Sequence, residues 1–488
     1  MEKNKIIKET GMYLIGTVMV SILGFILSIL YSKMFNPYDY GIYSLVYSTY
    51  SLITNIYGGW ISLSMIRNAE QYIIQKKENV FFGTFYKLQA MMAVSFVIVG
   101  NTINIFLPVE NNVKIMFFIF TLVYFFEYTI LITNTVLRVK QNAKQYSKNT
   151  VINNFLKIFF ILFLYYVLHI TNIVVIVISL LIAEMVQYIY IFHKVGLKKY
   201  YKRKLLNKTI AKKMFLFGFP LIGVTVTNWV LNVSDRYIIQ LFYSPTEVGL
   251  YSYAYSLGNS LFSLLMQFIM LGAYPNIVKA WESGGREKSE EVIKTYLRIY
   301  LLIIIPACIG VIGVAKNFFL AFTDTQYQSS YSIFIITCIG IAILGLTQYS
   351  NKAWELRKKT KHILMLNIMA ALINVVLNFI FIPTLGYEMG AVTTLVAYVL
   401  FFILSLICSR KFFTLKVDYK SLGKVIVSSA IMYLSIILIN QININVIIKL
   451  ILQILTGVIV YGIMLIVTRE LNLKELKSMK NNLTNRTS

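Results

Sequence analysis

Residues 37–49 read Pro-Tyr-Asp-Tyr-Gly-Ile-Tyr-Ser-Leu-Val-Tyr-Ser-Thr, and residues 245–257 read Pro-Thr-Glu-Val-Gly-Leu-Tyr-Ser-Tyr-Ala-Tyr-Ser-Leu. Pro37/Pro245, Gly41/Gly249, Tyr43/Tyr251, Ser44/Ser252, Tyr47/Tyr255 and Ser48/Ser256 are identical pairs, and Asp39/Glu247 keeps the charge. Each pair lies 208 positions apart. In an apolar chain such a duplication predicts two related lobes with something passing between them.

The surrounding chain is apolar enough for that reading. Its 488 residues are 58% hydrophobic and only 14% charged, with mean hydropathy +0.69, which excludes a water-soluble globule. Apolar runs of about 20 residues place spans at 11–32, 41–66, 81–107, 114–137, 150–169 and 172–193. A second set follows at 214–240, 248–275, 292–315, 329–350, 362–382 and 389–409, with a last pair at 424–440 and 446–468. The expected fold is an all-α integral membrane protein of about 14 transmembrane helices.

Positive charge tests that topology, because cytoplasmic loops carry the excess of Lys and Arg. Of the 46 Lys and Arg residues, all but Lys33, Lys114, Arg236, Lys316 and Lys449 fall on the side of the N-terminus, the even-numbered loops and the C-terminus. Both termini are therefore expected in the cytoplasm. The net charge of +26 is spread over eight short segments on that side, so it reads as a topology signal facing anionic lipid headgroups and not as a nucleic-acid surface. Lys194 to Lys213, with nine basic residues, is the richest of these segments. The first span follows Lys3, Lys5 and Lys8 but is too long for a signal h-region, so it is expected to stay in the mature protein. Cys308, Cys338 and Cys408 fall in or at the ends of spans and suggest no disulfide framework.

Six crossings separate the motif copies. Six is even, so both copies cross in the same direction and the repeat is parallel. The expected domains are a six-helix lobe at 1–193, a basic cytoplasmic linker at 194–213, a second six-helix lobe at 214–411, and two further helices with a cytoplasmic tail at 412–488. The echo of Leu14-Ile15-Gly16 in Leu221-Ile222-Gly223 extends the match into the first helix of each lobe.

Polar residues at helical spacing mark the faces expected to matter. Ser44, Ser48, Ser51 and Asn55 share one face of the second span, and Ser252, Ser256, Asn259 and Ser263 repeat it in the eighth. On the seventh span Thr225, Asn228, Asn232, Asp235 and Arg236 share a face; on the first, Ser21, Gly24, Ser28 and Ser32 do. These four helices are expected to line a hydrated cleft between the lobes. Arg236 suits phosphate oxygens through its planar fork, and Arg67 at the cytoplasmic mouth is a further candidate for an anionic substrate. Glu127, Lys157 and Glu184 also lie within spans, where an exposed charge would cost about 2.5–3.5 kcal/mol. Two readings are open: Lys157 pairs with Glu127 or Glu184 to hold three helices together, or these charges bind an anionic group or carry a coupling ion. Tyr40, Tyr43, Tyr47, Tyr251 and Tyr255 read as an interfacial aromatic belt. Pro306 is expected to kink the ninth span.

Asp235-Arg236-Tyr237, followed by residues 245–257, resembles the segment typical of Wzx-type polysaccharide flippases in the multidrug/oligosaccharidyl-lipid/polysaccharide exporter superfamily, and residues 37–44 are similar to its N-terminal counterpart. The resemblance implies a MATE-like fold. It also implies movement of undecaprenyl-diphosphate-linked oligosaccharide from the inner to the outer leaflet of a bacterial cytoplasmic membrane by alternating access, for cell-surface polysaccharide biosynthesis. Polysaccharide polymerase and glycosyltransferases would be its partners, and no cofactor is implied beyond a coupling proton or Na⁺. Two alternatives stand beside it: a drug/cation antiporter of the same fold, and a membrane polysaccharide polymerase. The polymerase would need a long outer loop carrying catalytic residues, and every outer loop here is short. His169, His193 and His362 are scattered, and no HExxH, nucleophile elbow, metal cluster or phosphate-binding Gly loop occurs, so enzymatic chemistry is not expected.

Overall fold

The computed structural model describes residues 2–201 and 206–470. Lys202, Arg203 and Lys204 of the basic linker, and the tail from residue 471, lie outside the described residues. Among those described, the regular structure is helical: α1 (Glu2–Met34), α2 (Pro37–Ile74), α3 (Glu78–Phe106), α4 (Asn111–Val139), α5 (Ala143–Leu162), α6 (Val174–Ile191), α7 (Lys208–Phe242), α8 (Pro245–Phe322), α9 (Tyr331–Ser350), α10 (Lys352–Glu355), α11 (Lys361–Leu385), α12 (Met389–Ser409), α13 (Tyr419–Asn440) and α14 (Val446–Val467).

Twelve helices among the described residues are long and apolar enough to cross a membrane. That differs from the expected fourteen at two places. The serines, Thr49 and tyrosines of the first motif copy, with Asn55, dilute the hydropathy of α2. The spans expected at 248–275 and 292–315 both lie within α8, which counts once although it is two helices joined at a kink where Gly284 and Gly285 leave helical dihedrals; Pro275 and Pro306 stay inside the helical parts. Gly285 takes φ 61°, a conformation glycine adopts without the Cβ penalty.

The helices begin where the local chemistry satisfies their first N–H groups. Asn36 accepts from the Asp39 N–H at α2, with Pro37 at the first helical position. Asn207 accepts from the Ile210 N–H at α7, and Asp418 from the Ser421 N–H at α13. Large apolar residues along the outer faces are exposed: Ile98, Leu372, Leu438 and Val467 are all more than half accessible. That is the pattern of a surface solvated by lipid tails, where helices associate by close packing and hydrogen bonds.

The chain divides into two compact units, Met1–Ser252 and Tyr253–Ser488. In the first, α1 packs on α5, α2 on α4 and α7, α3 on α4, and α6 on α4 and α5. Its core gathers Trp60, Phe81, Phe82, Phe85, Tyr86 and Val136 around Leu197, Tyr200 and Met214. Tyr200 stacks on Tyr86 at 5.3 Å, so the linker is anchored by its apolar residues. The start of α7 is held likewise: the Ser64 hydroxyl donates to the Met214 carbonyl at 3.0 Å, and Gly218 packs against Trp60 and Ser64. The first unit thus includes all of α7. In the second unit α12 packs on α9 and α11, and α13 on α14. Asn317, Asn440 and Gln453 hydrogen-bond to one another and tie α13 and α14 to the end of α8.

Candidate functional site

The two motif copies meet in the first unit through their glycines. A Cβ at Gly41 would lie 1.8 Å from the Pro245 carbonyl oxygen, and one at Gly249 would lie 1.8 Å from the Pro37 carbonyl oxygen. The contact is reciprocal, and only a residue without a side chain permits it.

Below this contact α7 grips α2. The Trp229 indole N–H donates to the Ser48 carbonyl at 3.2 Å, and the Arg236 Nη1 donates to the Ser48 hydroxyl at 3.1 Å. Residues 229 and 236 are two helical turns apart and so share a face. Tyr237 Oη pairs with Thr49 Oγ1 at 2.7 Å. Asp235 is 1% exposed; its carboxylate accepts from the Arg236 backbone N–H at 2.9 Å and from the Tyr251 hydroxyl. A buried carboxylate must find such donors, since leaving it bare would cost several kcal/mol.

The structure thus brings Ser48, Asp235 and Arg236 together. Asn228 and Asn232 continue along α7, with the Asn232 amide donating to the Asn228 carbonyl at 2.6 Å. Asn55 donates to the Ser51 carbonyl at 2.8 Å, one turn back on its own helix. Arg67 is exposed near the end of α2. Ser256 and Asn259 lie on α8 in the second unit, where Ser263 donates to Asn259 at 3.0 Å.

The intramembrane charges form a separate group. Lys157 takes Glu184 as its partner at 2.8 Å, and Asn153 donates to the other Glu184 oxygen at 3.1 Å. This closes α5 on α6. Glu127 accepts from the Tyr50 hydroxyl at 2.5 Å, linking α4 to α2.

Several participants were not singled out by sequence for these roles. Tyr50, Trp229, Tyr237 and Tyr251 supply the hydrogen bonds above, and only the helical spacing of Trp229 and Arg236 hints at a shared face. The aromatic-belt reading fails for Tyr40, Tyr43, Tyr251 and Tyr255, all buried; Tyr47 alone of the five is 42% exposed. Their hydroxyls and rings serve internal contacts, as where Tyr31 packs with both Tyr40 and Tyr43. In the second unit Asn374, Asn378, Thr393 and Thr394 form a buried polar cluster between α11 and α12. The i, i+4 spacing of its asparagines was the available signal.

This architecture defines a multi-pass helical membrane protein of MATE-like fold. The chain belongs to the family described as polysaccharide biosynthesis protein, whose model matches residues 6–281, and the MatE model matches residues 220–380. It is 19% identical over 252 residues to the probable low-salt glycan biosynthesis flippase Agl15 of Haloferax volcanii, covering 51% of this chain. The match spans about half, 53%, of that relative's length. Among solved structures it shares its fold with the lipid II flippase MurJ in an inward closed conformation, at TM-score 0.76 and 19% identity, over 94% of this chain and 99% of that one. It shares it also with an inward-facing multidrug resistance MATE family transporter, at TM-score 0.67 and 13% identity, over 82% and 97%. These relatives are named as flippases and transporters, in keeping with the absence of enzymatic motifs.

Proposed function

We propose that this chain is a flippase that moves a lipid-linked oligosaccharide across the membrane by alternating access, in cell-surface polysaccharide biosynthesis. The observation that carries the reading is the Asp235–Arg236 element of α7, held against Ser48 of the first motif copy, in a chain of the polysaccharide biosynthesis family. Arginine's fork matches a diphosphate, and the amides of Asn232 and Asn228, one and two turns away, match sugar hydroxyls. We take the carrier to be undecaprenyl diphosphate, the membrane to be the bacterial cytoplasmic membrane with both termini inside, and the partners to be glycosyltransferases and a polymerase. Lys157, Glu184 and Glu127 are the groups through which a proton or Na⁺ would couple.

The test is transport of a fluorescent lipid-linked oligosaccharide in vesicles holding the purified chain. Arg236→Ala is expected to lower the rate at least tenfold, the loss of one charge-assisted hydrogen bond of about 1.5–3 kcal/mol, while Arg236→Lys keeps part of it. Wild-type transport by Arg236→Ala removes Arg236 from its role. Drug efflux with no movement of the lipid-linked sugar would overturn the reading in favour of an antiporter.

A further inference from the structure

At the Lys/Arg-rich ends of α10, α11 and α12, three donors surround one aromatic ring. The Arg357 guanidinium carbon lies 4.6 Å from the centre of the Phe412 ring, and Lys359 Nζ lies 5.6 Å from it. One guanidinium nitrogen, Nη2, also donates to the Phe412 carbonyl at 3.4 Å. Trp354 meets the same ring edge-on at 5.4 Å. The convergence is built by the backbone. Lys358 takes φ 59°, its N–H bonds to the Glu355 carbonyl, and the Lys359 N–H bonds back to the Trp354 carbonyl, the paired bonds of a Schellman turn. His362 then stacks flat on Trp354 at 4.4 Å and fixes the indole.

Two features of this cluster call for an anion. Arg357 and Lys359 approach a common ring within about 10 Å of each other, about one Debye length. Among the described residues no carboxylate pairs with either. Glu355, the nearest acid in sequence, is taken by Lys352 at 2.5 Å. Trp354 is 3% exposed, yet its indole N–H has no hydrogen-bond partner, and a buried donor left so costs about 1–3 kcal/mol. An oxyanion would accept from the indole and the guanidinium and neutralise both cations.

We propose that Trp354, Arg357, Lys359 and Phe412 form a binding site for the phosphate of an anionic phospholipid headgroup. The site lies at the ends of membrane helices, and α11 and α12 carry the exposed apolar residues Met365 and Ile407 within two turns of it, suited to the lipid's acyl chain. A soluble phosphate offers the same oxygens without the chain.

Native mass spectrometry of the full chain in detergent, titrated with phosphatidylglycerol, tests the site. Each cation near an anionic headgroup counts for about a factor of five, so Arg357→Gln with Lys359→Gln is expected to weaken binding roughly thirtyfold. Lys358→Gln with Lys361→Gln removes the same charge beside the ring cluster and is expected to cost under about fivefold, because charges that do not touch the phosphate are screened by salt. Equal losses in the two pairs overturn the site in favour of diffuse charge. Equal affinity for phosphatidylcholine overturns anion recognition, and displacement of the lipid by equimolar inorganic phosphate overturns the lipid assignment. Should the first pair fail to fold, Trp354→Phe keeps every charge and is expected to weaken binding severalfold; unchanged affinity there overturns the site.

Discussion

The two motif copies share one backbone contact and differ in what their side chains do. Gly41 and Gly249 each press on the other copy's proline carbonyl. Beyond the glycines the symmetry ends: Tyr251 donates to Asp235, whereas Tyr43 packs edge-on against Tyr31. The cause lies outside the motif. At the offset of 208, Asp235 and Arg236 correspond to Leu27 and Ser28, so the second copy was given a charged neighbour that the first lacks. Duplication preserved the contact that shapes the helices, and divergence placed the polar chemistry in one copy's surroundings.

The largest effect should come from the shared contact. Gly41→Val and Gly249→Val each drive a side chain into a carbonyl that cannot retreat, and each is expected to destabilise by about 3 kcal/mol or more. Folded yield and thermal unfolding in detergent measure this. Unequal losses would break the symmetry of the contact. A middle-sized effect should separate the tyrosines. Tyr251→Phe strips a donor from the buried Asp235 carboxylate and is expected to cost about 1–3 kcal/mol, while Tyr43→Phe stays within about 0.5 kcal/mol. If the two variants unfold alike, the two tyrosines are equivalent and the asymmetry falls.

The smallest effect concerns Asp39, two residues before the predicted span. Burial raises its carboxyl above the ordinary value, the Asn36 amide opposes this, and Glu110 adds to it. A raised acid is stabilising in its protonated form: the contribution is present below the unfolded value of about 4 and is lost as pH rises through the higher folded value. Asp39→Asn should therefore gain slightly on wild type as pH rises, and the gain should vanish at low pH. Unfolding midpoints across that range decide it, and a gain that grows toward acid would reverse the sign.

Helix positions were legible because each depends on a local property, an apolar run of sufficient length bounded by caps such as Asn36, Asn207 and Asp418. The count of helices apolar enough to cross a membrane falls below fourteen where local properties mislead. The polar stripe of α2 lowers its hydropathy although its serines are packed, as with Ser44 and Ser48, and the Gly284-Gly285 kink separates two helices so closely joined that they count as one. The candidate site was legible by residue but not by partner. Asp235, Arg236 and Ser48 could be named from helical spacing, yet the belt reading of Tyr251 was wrong because burial of a tyrosine depends on its neighbours and not on its distance from a helix end.

From sequence alone came the membrane class, the duplication, the polar faces and the family resemblance, all properties of runs and periods along one chain. Tertiary structure decided which charges pair. Lys157 had two acids within its reach in sequence logic and takes Glu184; Arg236 had an adjacent acid, and its Nη1 reaches across to Ser48. Such choices turn on distances of a few ångströms between helices far apart in sequence, where one hydrogen bond more or less outweighs any preference written in the local chain.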